Sequence, residues 1–485
     1  MLLQDRGEAT VALGLAAALV IIWTSLFNIR GPGLFYEAQP SLELQDGEDS
    51  VFLRHAMNVE FPSPIDYTPI HEVCTHNPST FRPGLLFSCE EQHGGVGMVR
   101  NQILKCIRYA IHGGGALVIP SMAKRNPKDI SDIETSNEVP LEYLFDREAF
   151  ITHLTGACPG IRLYNRAEDF PSYENRAGDP LSLVGDQFEP DHPRTGLSDP
   201  ASWRGSFDSW LMEQNVAVAA SVPVHVQIGQ AYLEYPVHND SLPFSSEFGK
   251  LLSFRADARA LAARVLLQLQ QRFDLPINPG KAINEHAFFG AHLRLEKDAV
   301  EAWSPEEGWR FSRMEDQFGD VYGEVRRSGL GVVYVACGDQ GIVESFSEYI
   351  SKRLREEEEE GGAGGGGGKG RNITIVTKNT LLPPHDLARL NELSFDQQAL
   401  VDFLIMFKAS FFMGVAHSSF PWTVALRRHE LSRFRDGGRE GEGKGEGDGG
   451  YANLGSDLLR DEFSVIMGMR RDYPYVDPFE WGLWP

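Results

Sequence analysis

Short apolar runs and amphipathic stretches follow one another in a regular order along most of this chain. In the segment 84–120, an apolar run is followed by a glycine-rich turn, a stretch with Ile103, Leu104 and Ile107 at helical spacing, and a second apolar run closed by Pro120. This pattern predicts a strand, a helix and a strand. Such a βαβ unit is typical of a parallel sheet covered by helices.

The second half of the chain repeats the pattern. Apolar runs predict strands at 286–295, at the start of 331–354 and at 372–378, and an amphipathic stretch predicts a helix at 395–409. A further strand and helix are predicted in the segment 410–430. The same α/β arrangement is therefore expected twice.

Two tandem domains follow from this repetition. A long amphipathic helix is predicted at 251–273, and the segment DLPINPGK after it is suited to link two domains. Because 485 residues are too many for one ordinary core, we predict α/β domains at 81–275 and 276–485. Ligands bind at the carboxyl edges of parallel strands, so the expected site is a central cleft between both sheet edges.

Two low-complexity tracts, 355–370 and 435–450, interrupt the second half. Both consist almost entirely of glycine and charged residues. Such segments cannot bury enough apolar surface to become ordered. We predict that both are disordered surface insertions.

The amino-terminal region predicts a membrane anchor. Residues 9–29 carry no charge, and about 20 apolar residues suffice to span a bilayer. The run is too long for a cleaved signal peptide, so residues 1–30 are predicted to be a cytoplasmic tail and an uncleaved signal-anchor helix. Residues 31–80 are predicted to be a stem. A lumenal body fits the glycosylation sequons at Asn239 and Asn372.

Charge and cysteine content narrow the possible functions. The formal net charge of −23 argues against a general nucleic-acid or anionic-membrane binder. The five cysteines are an odd number. Cys74 and Cys89 flank a proline-rich loop and could form a disulfide, whereas Cys106 and Cys337 are interpreted as buried thiols. The sequence contains no zinc-binding cysteine pattern and no metalloprotease motif.

Two segments of the second half are candidate anion sites. In the strand GAHLRLEKDA, His292, Arg294 and Glu296 share one face, because strand side chains alternate. An arginine at the end of a buried strand is well placed to hold an anion. Ser418 and Ser419 begin a predicted helix, where free backbone N–H groups and the helix dipole attract anions.

The glycine-rich turn HGGVGMVRN in the first half is a third candidate site. Gly94, Gly95 and Gly97 permit either close approach of a ligand to the backbone or only a tight turn. Arg100 begins the following helix and is expected to face the cleft. The turn matches neither the dinucleotide fingerprint nor a phosphate-binding loop.

In combination and order, these motifs resemble the GDP-fucose protein O-fucosyltransferase superfamily. The segments GGVGMVRNQ, GAHLRLEKDA and HSSFPWTVALRR carry the resemblance, which runs from about 82 to 430. It implies two Rossmann-like domains in a GT-B arrangement, with the acceptor on the first and the GDP-sugar on the second. It also implies an inverting fucosyl transfer from GDP-fucose to a protein or glycan hydroxyl, without a metal or other cofactor. A single-pass type II protein of the Golgi or ER membrane agrees with this activity.

The resemblance also implies roles for individual residues. Arg294 would grip the diphosphate of GDP-fucose and stabilise the leaving oxygen, and His292 would support the nucleotide. Ser418, Ser419 and Phe420 would contact the same diphosphate. Arginine suits its role because its planar fork donates two charge-assisted hydrogen bonds.

The resemblance assigns a guanine-binding residue, but it does not identify the general base. Asp402 would bind guanine, since a carboxylate can accept hydrogen bonds from both N1–H and N2–H. Gly94 and Gly97 stand where related enzymes place a catalytic glutamate or an asparagine. Glu90, Glu91 and His93 lie just upstream and could deprotonate an acceptor hydroxyl, and Glu91 is taken as the candidate general base. Two alternatives remain open: a GT-B enzyme that uses another nucleotide sugar, and an inactive membrane-anchored glycan-binding or scaffold module.

Overall fold

The structure is a computed structural model. It describes residues 48–76, 81–126, 137–189, 197–229, 235–296, 300, 310–361, 372–433, 435, 458–468 and 482–485. Both the predicted signal anchor at 9–29 and the low-complexity tract from 436 to 450 lie outside these residues. Within them, no helix is long and apolar enough to cross a membrane.

The described chain folds into alternating strands and helices. The strands are β1 (Leu85–Cys89), β2 (Ala116–Val118), β3 (Ser121–Lys124), β4 (Asn137–Pro140), β5 (Leu163–Tyr164), β6 (Leu181–Leu183), β7 (Val224–Ile228), β8 (Phe289–His292), β9 (Val332–Ala336), β10 (Thr374–Val376), β11 (Phe411–Val415), β12 (Leu459–Arg460) and β13 (Ser464–Met467). The α-helices are α1 (Glu48–Asn58), α2 (Thr68–His76), α3 (Val96–Gly113), α4 (Arg147–Ala157), α5 (Trp203–Glu213), α6 (Leu242–Phe248), α7 (Ala256–Phe273), α8 (Met314–Ser328), α9 (Gln340–Gly361), α10 (Lys378–Leu381), α11 (Pro384–Glu392), α12 (Phe395–Lys408) and α13 (Ser419–His429).

Two separate sheets organise these elements. The first has the order β5-β2-β1-β7-β6, and all of its pairings are parallel. The second has the order β10-β9-β8-β11-β13-β12 and is parallel except for the last pair. The small β3–β4 hairpin is antiparallel. The predicted α/β class with two parallel sheets is therefore confirmed.

A shared apolar core joins the two halves of the fold. Helix α7 packs on α12, and α3 packs on α13. The ring centroids of Phe254 and Phe403, one from each half, lie 5.7 Å apart. Residues from 44 to 485 form one compact unit, so the proposed boundaries at 81–275 and 276–485 stay a prediction.

Part of the predicted stem is folded. Helices α1 and α2 lie within the segment 31–80, which lacks a strong local pattern. Leu53 of α1 is buried against Ala263 and Leu267 of α7. Ile70 of α2 is wholly buried in the main core. The apolar surface that orders these helices is supplied by the body, so the local sequence does not reveal it.

The predicted Cys74–Cys89 pairing is wrong. Cys74 on α2 is joined to Cys158 at the end of α4, and Cys89 at the end of β1 is joined to Cys106 on α3. Cys106 is therefore not a buried thiol, whereas Cys337 is free. Helix α3 packs back onto β1 and brings Cys106 within a Cα–Cα distance of 5.8 Å of Cys89.

The first low-complexity tract is not disordered over its glutamates. Helix α9 continues through them to Gly361. Glu356 accepts a hydrogen bond from Arg353 at 3.0 Å, and Glu357 pairs with Arg326 of α8 at 2.9 Å. Glutamate is a good helix former, and these ion pairs offset the repulsion within the run. The tract from 362 to 370 lies outside the described residues.

The buried imidazole of His225 should make the stability of the fold depend on pH. It is buried on β7, where its Nδ1 lies 2.9 Å from the Tyr173 hydroxyl and its Nε2 lies 2.7 Å from Ser88 Oγ. Burial lowers the pKa of His225 from 6.5 to about 4. Below pH 6.5, His225 therefore binds a proton in the unfolded chain but not in the folded chain. The free energy of unfolding falls as the pH drops from 6.5 to about 4.

The test compares His225→Gln with His385→Gln, an exposed histidine of α11. Urea unfolding between pH 7 and 4 should show a shallower loss of stability for His225→Gln than for wild type. The difference should be at most roughly 3 kcal/mol, at about 1.4 kcal/mol per pKa unit. His385→Gln should follow wild type. Parallel pH profiles for all three proteins would contradict the assignment.

Candidate functional site

The carboxyl edge of the second sheet brings the predicted site segments together. Neighbouring strands β9, β8 and β11 are parallel and end at this edge. Arg294 follows β8, Gly338 follows β9, and Ser418 follows β11. The helix start and the arginine thus lie at one edge, as the motif order predicts.

Arg294 is held in place on several sides. Its Nη1 donates to Glu296 Oε2 at 2.6 Å, and its side chain is 19% exposed. The side chain of Gln317 accepts from Arg294 N and donates to Arg294 O, both at 3.2 Å. The backbone and the guanidinium are therefore both fixed at the sheet edge.

His292 links the strand end to the helix start. Its ring stacks on Phe420 with centroids 4.6 Å apart and planes 10° apart. Phe420 in turn packs on Phe403 of α12, with centroids 3.8 Å apart. Burial, helped by Arg294 and His417, holds the pKa of His292 well below its usual value. His292 is thus a neutral, stacked ring, and its buried Nδ1 has no hydrogen-bond partner among the described residues.

The first turn of α13 has the features of an anion site. Ser418 is the N-cap, and its hydroxyl accepts from Phe420 N at 3.4 Å. The carbonyl of Ser419 accepts from Thr423 Oγ1 at 2.9 Å. Backbone N–H groups at a helix start have no partner within the helix, and the helix dipole adds positive potential there.

Gly97 lies at a close contact between two helices. A Cβ at this position would lie 2.8 Å from Thr423 Oγ1 and 2.9 Å from the Ser419 carbonyl oxygen. Gly97 therefore lets α3 approach the first turn of α13. The space that a side chain would occupy is already filled, and the prediction that Gly97 contacts substrate stays a prediction.

Gly94 and Gly95 differ from Gly97 in their surroundings. Gly94 has a φ of 114°, which side-chain-bearing residues rarely adopt. Gly95 is the N-cap of α3, and a Cβ there would stand 3.9 Å from Arg125 Nη1. Arg125 lies 3.6 Å from Asp396 Oδ1 on α12 and so links the two halves beside this turn. No sequence motif singles out Arg125, because its partner is distant along the chain.

Arg100 does not face the cleft, contrary to the prediction. It is 1% exposed and donates to the carbonyl oxygens of Gly249, Trp484 and Pro485 at 2.7–2.8 Å. Trp484 itself is wholly buried against aromatic rings. The helical position of Arg100 turns it toward the segment 482–485, and its role is structural.

Asp402 is occupied by neighbouring side chains. Its Oδ1 accepts from the Tyr334 hydroxyl at 2.7 Å, and its Oδ2 forms a short ion pair with Lys378. The residue is 5% exposed. Because both carboxylate oxygens already accept hydrogen bonds, binding of guanine by Asp402 would require these contacts to rearrange.

Glu91 lies in the loop after β1, next to the glycine-rich turn. The distance between Glu91 Oε2 and His93 Nε2 is 3.9 Å, and both side chains are partly buried. These two groups form a carboxylate–imidazole pair at the carboxyl edge of the first sheet. Among the described residues, no three His, Cys, Asp or Glu side chains group as metal ligands.

The family assignment rests on residues 85–330. This segment matches the profile of the GDP-fucose protein O-fucosyltransferase family. It spans just over half of the 485 residues and contains both the glycine-rich turn and Arg294. The chain belongs to this family. It is therefore a glycosyltransferase. No curated protein sequence matches the chain.

Several solved fucosyltransferase-related structures are similar to this family member. POFUT1 in complex with GDP-fucose gives a TM-score of 0.41 at 14% identity and covers 73% of this chain and 96% of its own. The fucosyltransferase NodZ from Bradyrhizobium gives 0.34 at 14% identity, covering 72% and 93%. FUT1 from Arabidopsis thaliana, as a mutant in complex with GDP, gives 0.33 at 12% identity, covering 80% and 79%.

Replacing Gly97 by alanine should loosen the contact between α3 and α13. Overpacking of this kind costs about 1–3 kcal/mol, so Gly97→Ala should lower the melting temperature of this O-fucosyltransferase family member. The control is Gly205→Ala on α5, where a Cβ would meet nothing within 4 Å. That control should melt at the wild-type temperature or above. Equal melting of both variants would show that the Gly97 contact is not tight.

Proposed function

We propose that this chain transfers fucose from GDP-fucose to a hydroxyl group of a protein or glycan, with inversion at the sugar and without a metal ion. The observation that carries the proposal is the stacking of His292 on Phe420 at 4.6 Å. It joins the strand end that presents Arg294 to the helix start at Ser418. Both anion-binding elements are thereby available to one diphosphate.

The proposed chemistry assigns charge stabilisation to this edge. The acceptor hydroxyl oxygen forms the new bond to the sugar, the bond from the sugar to the diphosphate breaks, and GDP leaves. Negative charge grows on the leaving phosphate, where the Arg294 guanidinium and the N–H groups of α13 stabilise it. The proton of the acceptor hydroxyl passes to Glu91 or to His93, which lie at the carboxyl edge of the first sheet.

Arg294 should be the side chain on which donor use depends most. Each charge-assisted hydrogen bond contributes roughly 1.5–3 kcal/mol, so Arg294→Ala should weaken GDP binding on the order of a hundredfold. Turnover should fall further because charge develops on the phosphate during bond cleavage. Arg294→Lys should recover part of the binding and little of the turnover, since lysine lacks the planar fork.

The measurements are GDP titration, GDP-fucose turnover and thermal melting. Arg326→Ala is the matched control, because Arg326 pairs with Glu357 on the surface of α8. If a folded Arg294→Ala protein binds GDP and turns over GDP-fucose like wild type, the diphosphate does not bind at this strand end. Turnover by wild type of a different nucleotide sugar, or GDP binding without any turnover, would indicate one of the two alternative functions.

We further propose that the chain is a single-pass type II protein of the Golgi or ER membrane with a lumenal body. Disulfides form in oxidising compartments, and the two bridges, Cys74–Cys158 and Cys89–Cys106, fit a lumenal location. The sequon residues Asn239 and Asn372 are both exposed and thus accessible to glycosylation.

Protease protection on sealed microsomes tests this topology. The body should resist added protease until detergent opens the vesicles, because residues 9–29 would anchor it with the carboxyl side inside. Treatment with an N-glycosidase should also increase its mobility on a gel. Digestion of the body in sealed vesicles would refute the lumenal assignment.

A further inference from the structure

We propose that Glu296 is a positioning residue for Arg294, and that Gly338 provides the space in which the Glu296 carboxylate lies. The inference rests on the proposed function of Arg294. It extends that function by assigning how the guanidinium is aimed at the donor diphosphate. The contacts involve two neighbouring strand ends, β8 and β9.

Both oxygens of Glu296 accept hydrogen bonds from this edge. Oε2 accepts from Arg294 Nη1 at 2.6 Å, and Oε1 accepts from Gly338 N at 2.8 Å. The Glu296 side chain is only 13% exposed, so water competes little for these bonds. The carboxylate therefore ties the guanidinium to the main chain of the adjacent strand end.

Gly338 is required here for space. A Cβ at Gly338 would lie 2.8 Å from Glu296 Oε1 and 2.8 Å from Phe395 Cε2. Gly338 is not among the glycines with positive φ, so the backbone conformation does not demand glycine. A methyl group at this position would have to displace the carboxylate or the phenylalanine ring.

A carboxylate is the group that this position needs. Arg294 and the Gly338 amide are both donors, and a carboxylate accepts from both. A glutamine has one acceptor oxygen and one NH2 group. It can therefore accept a hydrogen bond from one of the two neighbours, but its NH2 group faces the donor of the other. Removal of the negative charge does not weaken attraction for a diphosphate, but it releases the guanidinium from its fixed orientation.

A positioning role predicts a split between binding and turnover. Glu296→Gln and Gly338→Ala should each leave the GDP dissociation constant within about threefold of wild type or lower it. GDP-fucose turnover should fall by on the order of tenfold or more, because misplaced catalytic groups lose rate steeply. Gly331→Ala, before the other end of β9, is the matched control, since its Cβ would meet only Asn372 O at 3.5 Å.

Two double-mutant cycles identify the route of the effect. If Glu296 acts through Arg294, Glu296→Gln should cost little further turnover in an Arg294→Ala background. If Gly338 acts through Glu296, Glu296→Gln and Gly338→Ala combined should cost little more than either alone. The second cycle can be measured even where Arg294→Ala has no detectable turnover.

Additive costs in the measurable cycles would overturn the inference, as would wild-type turnover of Glu296→Gln. If Gly331→Ala lowers the melting temperature as much as Glu296→Gln and Gly338→Ala do, the loss of turnover is due to reduced strand stability, and the inference is wrong. A wild-type protein that turns over GDP-fucose but gives additive cycles overturns this inference alone. A wild-type protein that binds no GDP overturns both this inference and the proposed function.

Discussion

The contact between α3 and α13 sets the relation between the two sheets. Gly97 lies so close to Ser419 and Thr423 that no side chain fits between the helices. The first turn of α13 is therefore both a packing surface for the first half and the candidate anion site of the second. The geometry of this candidate site depends directly on how tightly the two halves pack. The apolar core shared by α7 and α12 supports the same arrangement.

The four strands β8 to β11 of the second sheet and the position of Arg294 could be predicted from the sequence, whereas β12 and β13 are not predicted. Apolar periodicity within a few residues marks β8, β9 and α12, and parallel strands place their carboxyl ends at one edge. The N-cap character of Ser418 is also local, since its hydroxyl accepts from an amide two residues later. These features require no knowledge of distant contacts.

Two wrong predictions, those for Arg100 and for Cys74, depend on partners far along the chain. Arg100 follows a glycine-rich turn, yet its acceptors include Trp484, 384 residues away. Cys74 pairs across 84 residues rather than with its neighbour in sequence. The contacts of Asp402 with Tyr334 and Lys378 likewise appear only once the strands are assembled, and its binding of guanine stays a prediction. Local sequence patterns do not identify which buried polar groups form hydrogen bonds with each other in the fold.

The buried position of Arg100 has a consequence for biosynthesis. Its guanidinium and the amide of Asn101 bond to main-chain groups of residues 482–485. A chain that emerges from the ribosome amino end first presents α3 long before these acceptors exist. Until then, Gly249 is the one of the three acceptors of Arg100 that the first half supplies, and the buried charge has fewer hydrogen bonds than in the complete fold. The interior of the first half should therefore close fully only after residues 482–485 have been translated.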